Sequence, residues 1–282
     1  MTTPRQSLAA ATLHGTVFAL GGANNTATLA SVEAFDLAAG AHWTLLAASM
    51  TTPRYLHAAA VLRGLIYAAG GSPDHNLASV ERFDGGAHST WALVASMGTK
   101  RALFALVALE EGGPSHHGGM LVAAGGTEDT SAEAYDPVAD EWAPIANMAT
   151  ARSGCAGAAL GGKAYVSGGQ DSNNAFSSVE VFDPATGKWA AAPPMGTARM
   201  SHAAAALVVG GTARIYVSGG YDSGNSLATA EALGTHWHEC NATAPGGCTV
   251  CAACCKSDIA AGGACAACFA QHCTKGAAIV VA

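Results

Sequence analysis

Charge is scarce in this chain of 282 residues, with Asp, Glu, Lys and Arg together supplying only 12%. The formal charge of -7 is spread without a lysine or arginine cluster, which excludes the footprint of a nucleic-acid binder or of an anionic-membrane binder. No apolar run approaches the roughly 20 residues of a membrane-spanning helix, so no membrane span is expected. Aromatic residues are few, at 6%, and Cys155 is the one cysteine before residue 240. The start, Met1-Thr2-Thr3-Pro4-Arg5, lacks the basic stretch and apolar run of a secretory signal. What remains is half apolar, with 35 glycines, a composition that suits short strands and tight turns and points to an all-β array.

Self-comparison reveals a period of 40 to 50 residues, the mark of stacked supersecondary units. A Met-x-x-x-Arg step recurs as Met1/Arg5, Met50/Arg54, Met97/Arg101, Met148/Arg152 and Met195/Arg199. A glycine pair follows each: Gly21-Gly22, Gly70-Gly71, Gly125-Gly126, Gly168-Gly169 and Gly219-Gly220. Next comes a strand of the form Ser-Val/Ala-Glu-x-Phe/Tyr-Asp, at 31–36, 79–84, 131–136 and 178–183, with a weaker copy around Glu231. Each unit ends on a tryptophan, at Trp43, Trp91, Trp142, Trp189 and Trp237. Met1–Arg5 is identical to Met50–Arg54, so an expectation follows that Met1 is an internal methionine of a longer protein.

Between these landmarks the chain reads as four strands per unit. Runs such as Leu65–Ala69 are short, apolar and rich in β-formers, as buried strands are. The Val-Glu-x-Phe-Asp copies alternate with period two, and Asp136-Pro137 and Asp183-Pro184 mark the turn into the tryptophan strand. Four short strands per repeat, joined by turns, make a propeller blade.

Glycine pair, aromatic and tryptophan in fixed order resemble the kelch repeat over residues 1 to about 238. The resemblance implies a kelch-type β-propeller of about five four-stranded blades around a central channel, with approximate bounds 1–49, 50–96, 97–147, 148–194 and 195–238. Such rings most often have six or seven blades. Here either the ring closes at five or the array begins inside a longer chain. A small Cys-rich tail, 239–282, forms the second domain.

The repeated residues read as structure. The glycine pairs permit positive φ and close strand packing, and no helix follows to make a phosphate cradle. The tryptophans, with Phe35, Phe83, Tyr135 and Phe182, fill the contact between blades. Glu33, Glu81, Glu133, Glu180 and Glu231 match the five arginines in number. A catalytic acid is needed once, so a carboxylate in every blade is expected in inter-blade ion pairs or hydrogen bonds. Cys155 reads as a small buried residue. No Gly-x-Ser-x-Gly elbow, His-Glu-x-x-His or P-loop is present, and no catalytic residue and no cofactor is expected.

Function in a repeat fold lies in what differs between blades, mainly loops on one rim. The candidates follow the glycine pairs: Asn24 and Asn25; Asp74, His75 and Asn76; Glu128 and Asp129; Asp171, Asn173 and Asn174; Tyr221, Asp222 and Asn225. Their Asn, Asp and Ser can hydrogen-bond a ligand and are also ordinary turn formers. Kelch members that grip acidic peptides present arginines around the channel. Two positions after each repeated arginine this chain has Ser7, Leu56, Leu103, Gly154 and Ser201, which argues against an acidic-peptide partner. His116 and His117, in an insertion in the third unit, read as a solvent loop rather than a metal site. The expected function is a non-catalytic protein-interaction scaffold; the alternative is a carbohydrate-binding or sugar-modifying kelch-type enzyme with a glycan partner.

Eight of the nine cysteines fall in the tail: Cys240, Cys248, Cys251, Cys254, Cys255, Cys265, Cys268 and Cys273. Their density and even count favour disulfides, and the alternative is one zinc held by Cys251, Cys254, Cys265 and Cys268. Asn24-Asn-Thr26 and Asn241-Ala-Thr243 are glycosylation sequons. Tail and sequons favour an extracellular location, and the absence of a signal peptide makes a cytoplasmic one the alternative.

Overall fold

A computed structural model describes residues 1–36, 42–73, 76–86, 89–111, 118–127, 129–209, 211–233 and the backbone of 237–240. Its described residues are all-β, twenty strands in five antiparallel four-stranded sheets. Blade one is β1 Ala9–Leu13, β2 Thr16–Leu20, β3 Val32–Asp36 and β4 Trp43–Leu45. Blade two is β5 Ala58–Leu62, β6 Leu65–Ala69, β7 Val80–Phe83 and β8 Ala92–Val94. Blade three is β9 Ala105–Leu109, β10 Met120–Ala124, β11 Ala132–Asp136 and β12 Glu141–Ile145. Blade four is β13 Ser153–Leu160, β14 Lys163–Gln170, β15 Val179–Asp183 and β16 Lys188–Ala192. Blade five is β17 Ala203–Val209, β18 Thr212–Ser218, β19 Ala230–Leu233 and β20 Trp237–Cys240.

Each sheet pairs its strands in sequence order, so every connection inside a blade is a local turn. Asp136 and Asp183 make the turns into the fourth strands, Asp136 Oδ1 accepting from Val138 N–H at 2.8 Å and Asp183 Oδ1 from Ala185 N–H at 2.9 Å. The first strands of successive blades pack on one another, β1 on β5, β5 on β9, β9 on β13 and β13 on β17, which places them innermost.

The core lies between blades, where both faces of a sheet find apolar partners. Leu20, Val32 and Met50 of one side meet Ile66, Ala68 and Phe83 of the next. Leu62, Tyr67 and Met97 meet Leu121 and Tyr135 in the same way, and Val179 and Met195 meet Ile215 and Val217. Burying one such side chain contributes about 1.5–3 kcal/mol. In each of the first four blades the tryptophan packs on the aromatic of the neighbouring strand, closest in Phe83–Trp91, stacked at 5.1 Å. Trp142 Nε1 donates to the carbonyl of Ala95 at 3.0 Å and Trp189 Nε1 to that of Ala146 at 2.7 Å, so these rings also tie each blade to the one before.

The glycine pairs do what their position suggests. Gly21 has φ of 55°, and a Cβ there would sit 2.6 Å from the carbonyl oxygen of Arg54. Gly21→Ala therefore combines left-handed strain with overpacking, and a loss of roughly 2–5 kcal/mol is expected in denaturant melts. Gly161 has a similar φ of 59° with nothing near its would-be Cβ. Gly161→Ala isolates the strain alone, about 1–2 kcal/mol.

Candidate binding face

In an antiparallel four-stranded blade the loop between the second and third strands shares an end with the segment leading into the first. Both loop sets thus gather on one face: the residues after each glycine pair and the Met-x-x-x-Arg segments. Backbone bridges confirm the juxtaposition, joining Gln6 to Ala23, Tyr55 to Ser72 and Met200 to Tyr221.

Three of the loops are hydrogen-bonded turns with exposed tips. Asn24 Oδ1 accepts from Thr26 N–H, Thr26 Oγ1 and Ala27 N–H at 2.8–2.9 Å. Asp171 Oδ1 accepts from Asn173 and Asn174 N–H, and Asp222 Oδ1 from Gly224 and Asn225 N–H. These N–H donors hold both carboxyls below the usual aspartate range. Burial pushes the Asp129 carboxyl up, but bonds from Ser131 and the nearby Arg101 outweigh it and hold it down. Four of the expected contact residues are therefore turn formers already engaged through their side chains. Asn25, Asn173, Asn174, Tyr221 and Asn225 are exposed at the tips, and Asn76 is half-buried. Asp74, His75 and Glu128 lie outside the described residues, as do His116, His117 and the tail cysteines from Cys248 onward, and Cys240 is described only as backbone.

Inside the loops runs a backbone belt. Leu56 N–H donates to Ser7 C=O at 2.9 Å, Leu103 to Leu56 at 3.0 Å, Gly154 to Leu103 at 2.8 Å and Ser201 to Gly154 at 2.7 Å. All five residues have positive φ, between 50° and 67°, which turns each amide along the ring. Leu56 and Leu103 adopt this conformation at a cost of order 1–3 kcal/mol each, and nothing in a leucine announces it from sequence. The belt carries Ser, Leu, Leu, Gly and Ser, with no cation for an acidic ligand.

Beneath the belt the repeated charges form a latch. Arg152 is fully buried; its guanidinium donates to Glu180 Oε1 at 3.0 and 3.2 Å, to the carbonyls of Gly168 and Ser178 at 2.8 and 3.0 Å, and to Ser178 Oγ at 2.8 Å. Glu180 also accepts from the N–H groups of Ala149 and Thr150. The same pattern recurs for Arg5–Glu33, Arg54–Glu81, Arg101–Glu133 and Arg199–Glu231. The expected bridge between blades is thus corrected: the ion pair closes within one repeat, because the lead-in segment folds back over its own third strand. The arginine backbone makes the inter-blade contact, as where Arg54 C=O accepts from Gly22 N–H at 2.7 Å. Burial raises the Glu33 carboxyl, but bonds from Thr2, Thr3 and Arg5 outweigh it and bring it to about 2.

Three residues after the arginines stand His57, Phe104, Cys155 and His202, all buried. Neither ring nitrogen of His57 has a hydrogen-bond partner among the described residues, and burial, with the charge of Arg54, lowers its pKa to about 3. His202 is likewise lowered to about 3 by burial and Arg199; its Nε2 lies 2.9 Å from Ser167 Oγ. Burial raises the Cys155 thiol to about 11, as for an inert core cysteine. Among the described residues no three His, Cys, Asp or Glu side chains group as metal ligands, and no helix is long and apolar enough to cross a membrane.

Five consecutive antiparallel blades with loops and lead-in segments on one face define a β-propeller. The sequence model of the Kelch motif matches residues 53–98 and 151–196, two of the five repeats. The solved structure of YjhT superposes with a TM-score of 0.67 at 12% identity, covering 84% of each chain. No curated protein matches the sequence. Two of the chain's five repeats thus match the Kelch motif, within a β-propeller fold.

Proposed function

We propose that this propeller is a non-catalytic binding module that recognises a protein partner through the loops after its glycine pairs. The observation carrying this reading is a contrast within the repeats. Latch, glycine pairs and aromatic stacks recur from blade to blade, whereas the five loops differ in length and sequence. The recurring arginines and glutamates are committed to the latch, and Cys155, His57 and His202 are packed in the core. The loops hold Asp74, Glu128, Asp129, Asp171 and Asp222 and no lysine or arginine, which suits a partner offering basic groups and hydrogen-bond donors.

The test is selection of ligands for the full chain from a displayed peptide library and a glycan array, followed by comparison with Asn25→Ala/Asn173→Ala/Asn174→Ala. These tips are exposed, so stability should change by no more than about 0.5 kcal/mol per substitution. Binding of a basic peptide that the triple variant loses supports the proposal. Selection of glycans alone, or binding untouched by the variant, contradicts it.

A further inference from the structure

Among the described residues the joint that locks each blade to the next is made four times. At every joint the second glycine donates to an arginine carbonyl of the next repeat: Gly22 to Arg54, Gly71 to Arg101, Gly126 to Arg152 and Gly169 to Arg199, at 2.7–2.9 Å. The incoming methionine N–H donates back to the earlier blade, Met50 to Ala30, Met97 to Ala78, Met148 to Thr130 and Met195 to Ser177. Those four methionines are only 3–4% exposed. The methyls of all four lie over the first glycine of the preceding pair.

Blade five presents the same surface without an occupant among the described residues. Among the described residues no backbone hydrogen bond there reaches Gly220 N–H, Ala228 C=O or Ser201 C=O. A Cβ built on Gly219 meets nothing closer than Leu227 O at 3.8 Å, against 2.6 Å for Gly21 and 2.9 Å for Gly125. The fifth glycine pair is half-buried, where the other four are buried. Blade one shows the matching half of the joint. Met1 is 51% exposed, Ser7 N–H and Arg5 C=O lack backbone partners among the described residues, and Phe35 is half-buried where Phe83, Tyr135 and Phe182 are at most 2% exposed. Packing of the kind that joins neighbouring first strands does not join β17 to β1.

We infer that the space between blades five and one is a docking site for one further blade, supplied by a polypeptide segment that opens with Met-x-x-x-Arg. The occupant is defined by the four joints already made. Its methionine covers Gly219, its methionine N–H reaches Ala228 C=O, and its arginine C=O accepts from Gly220 N–H. Its residue two past the arginine donates to Ser201 C=O and so continues the belt. On its far side it offers Arg5 C=O the glycine N–H and Ser7 N–H the carbonyl that they lack.

The probes are synthetic segments with the sequences of residues 50–62 and 50–96, titrated into the full chain by fluorescence anisotropy, with amide exchange of Gly220 as second readout. Saturable binding of either segment, with slowed exchange at Gly220, is expected. A segment carrying Met50→Ala should bind at least about tenfold more weakly. Gly219→Asn should abolish binding with an unchanged melting midpoint, because asparagine tolerates a left-handed backbone and open space receives its side chain. Gly168→Asn, pressed against the next blade, should destabilise the chain. Failure of both segments to bind overturns the inference. So does Gly220 protection in the chain alone, either in a monomer, meaning that the chain itself already covers blade five, or in a concentration-dependent dimer, meaning that a second copy fills the site.

Discussion

Replacing Arg152 with alanine should cost about 3–5 kcal/mol, the loss seen when one partner of a buried ion pair is removed. The substitution strands the Glu180 carboxylate, the carbonyls of Gly168 and Ser178 and the Ser178 hydroxyl, all of which take hydrogen bonds from this one guanidinium. Arg152→Lys should recover only a small part of that loss, because an ammonium lacks the planar fork that serves two carbonyls, a hydroxyl and a carboxylate together. Glu180→Gln keeps the shape and most of the backbone contacts, so it should be milder. Chemical denaturation of the three variants gives the order. Equal stability of Arg152→Ala and the parent chain would show that the latch contributes nothing.

Acid should destabilise the protein well above the ordinary carboxylate range. His57 and His202 have folded pKa values of about 3 against 6.5 for the free side chain. Below pH 6.5 the unfolded chain binds protons that the folded chain refuses. Stability is therefore fully present above that pH and falls as pH drops toward 3, by about 1.4 kcal/mol per pH unit for each histidine. Together they remove about 3 kcal/mol between pH 6.5 and 5. Glu33 and Glu81, whose carboxyls are lowered, add their own loss below about pH 4.5. Phenylalanine already occupies the equivalent station at Phe104, so His57→Phe/His202→Phe should flatten the slope between pH 7 and 5. A slope in the double variant as steep as in the parent would place the acid sensitivity elsewhere.

Much of this architecture is legible in the sequence because a repeat states each constraint several times. A single Gly-Gly means little, but five at matching distances from a tryptophan define a blade, and the four-strand reading appears in the structure as expected, whereas the tryptophans expected between blades stack on aromatics of their own blade, with Trp142 and Trp189 also bonding to the blade before. The latch partners were recognisable by number, yet their connectivity was not. Arg152 lies 28 residues from Glu180, and only the folding back of the lead-in segment places the pair inside one repeat. The left-handed belt at Leu56 and Leu103 carries no residue-type signal, since ring geometry imposes it. The burial of His57 and His202 carries no signal in the sequence, because a histidine's burial cannot be read from its identity. Among the candidate contacts, Asn24, Asp129, Asp171 and Asp222 prove to be turn formers, which leaves the tips Asn25, Asn173, Asn174 and Asn225 as the exposed polar groups.

The central claim, a binding face built from the loops after the glycine pairs, is tested most directly by amide exchange across the full chain with and without its selected peptide ligand. The account predicts slowed exchange in residues 23–28, 129–131, 170–175 and 221–226, and none in the opposite-face turns at 137–140 and 184–187. Protection confined to those opposite-face turns would contradict it.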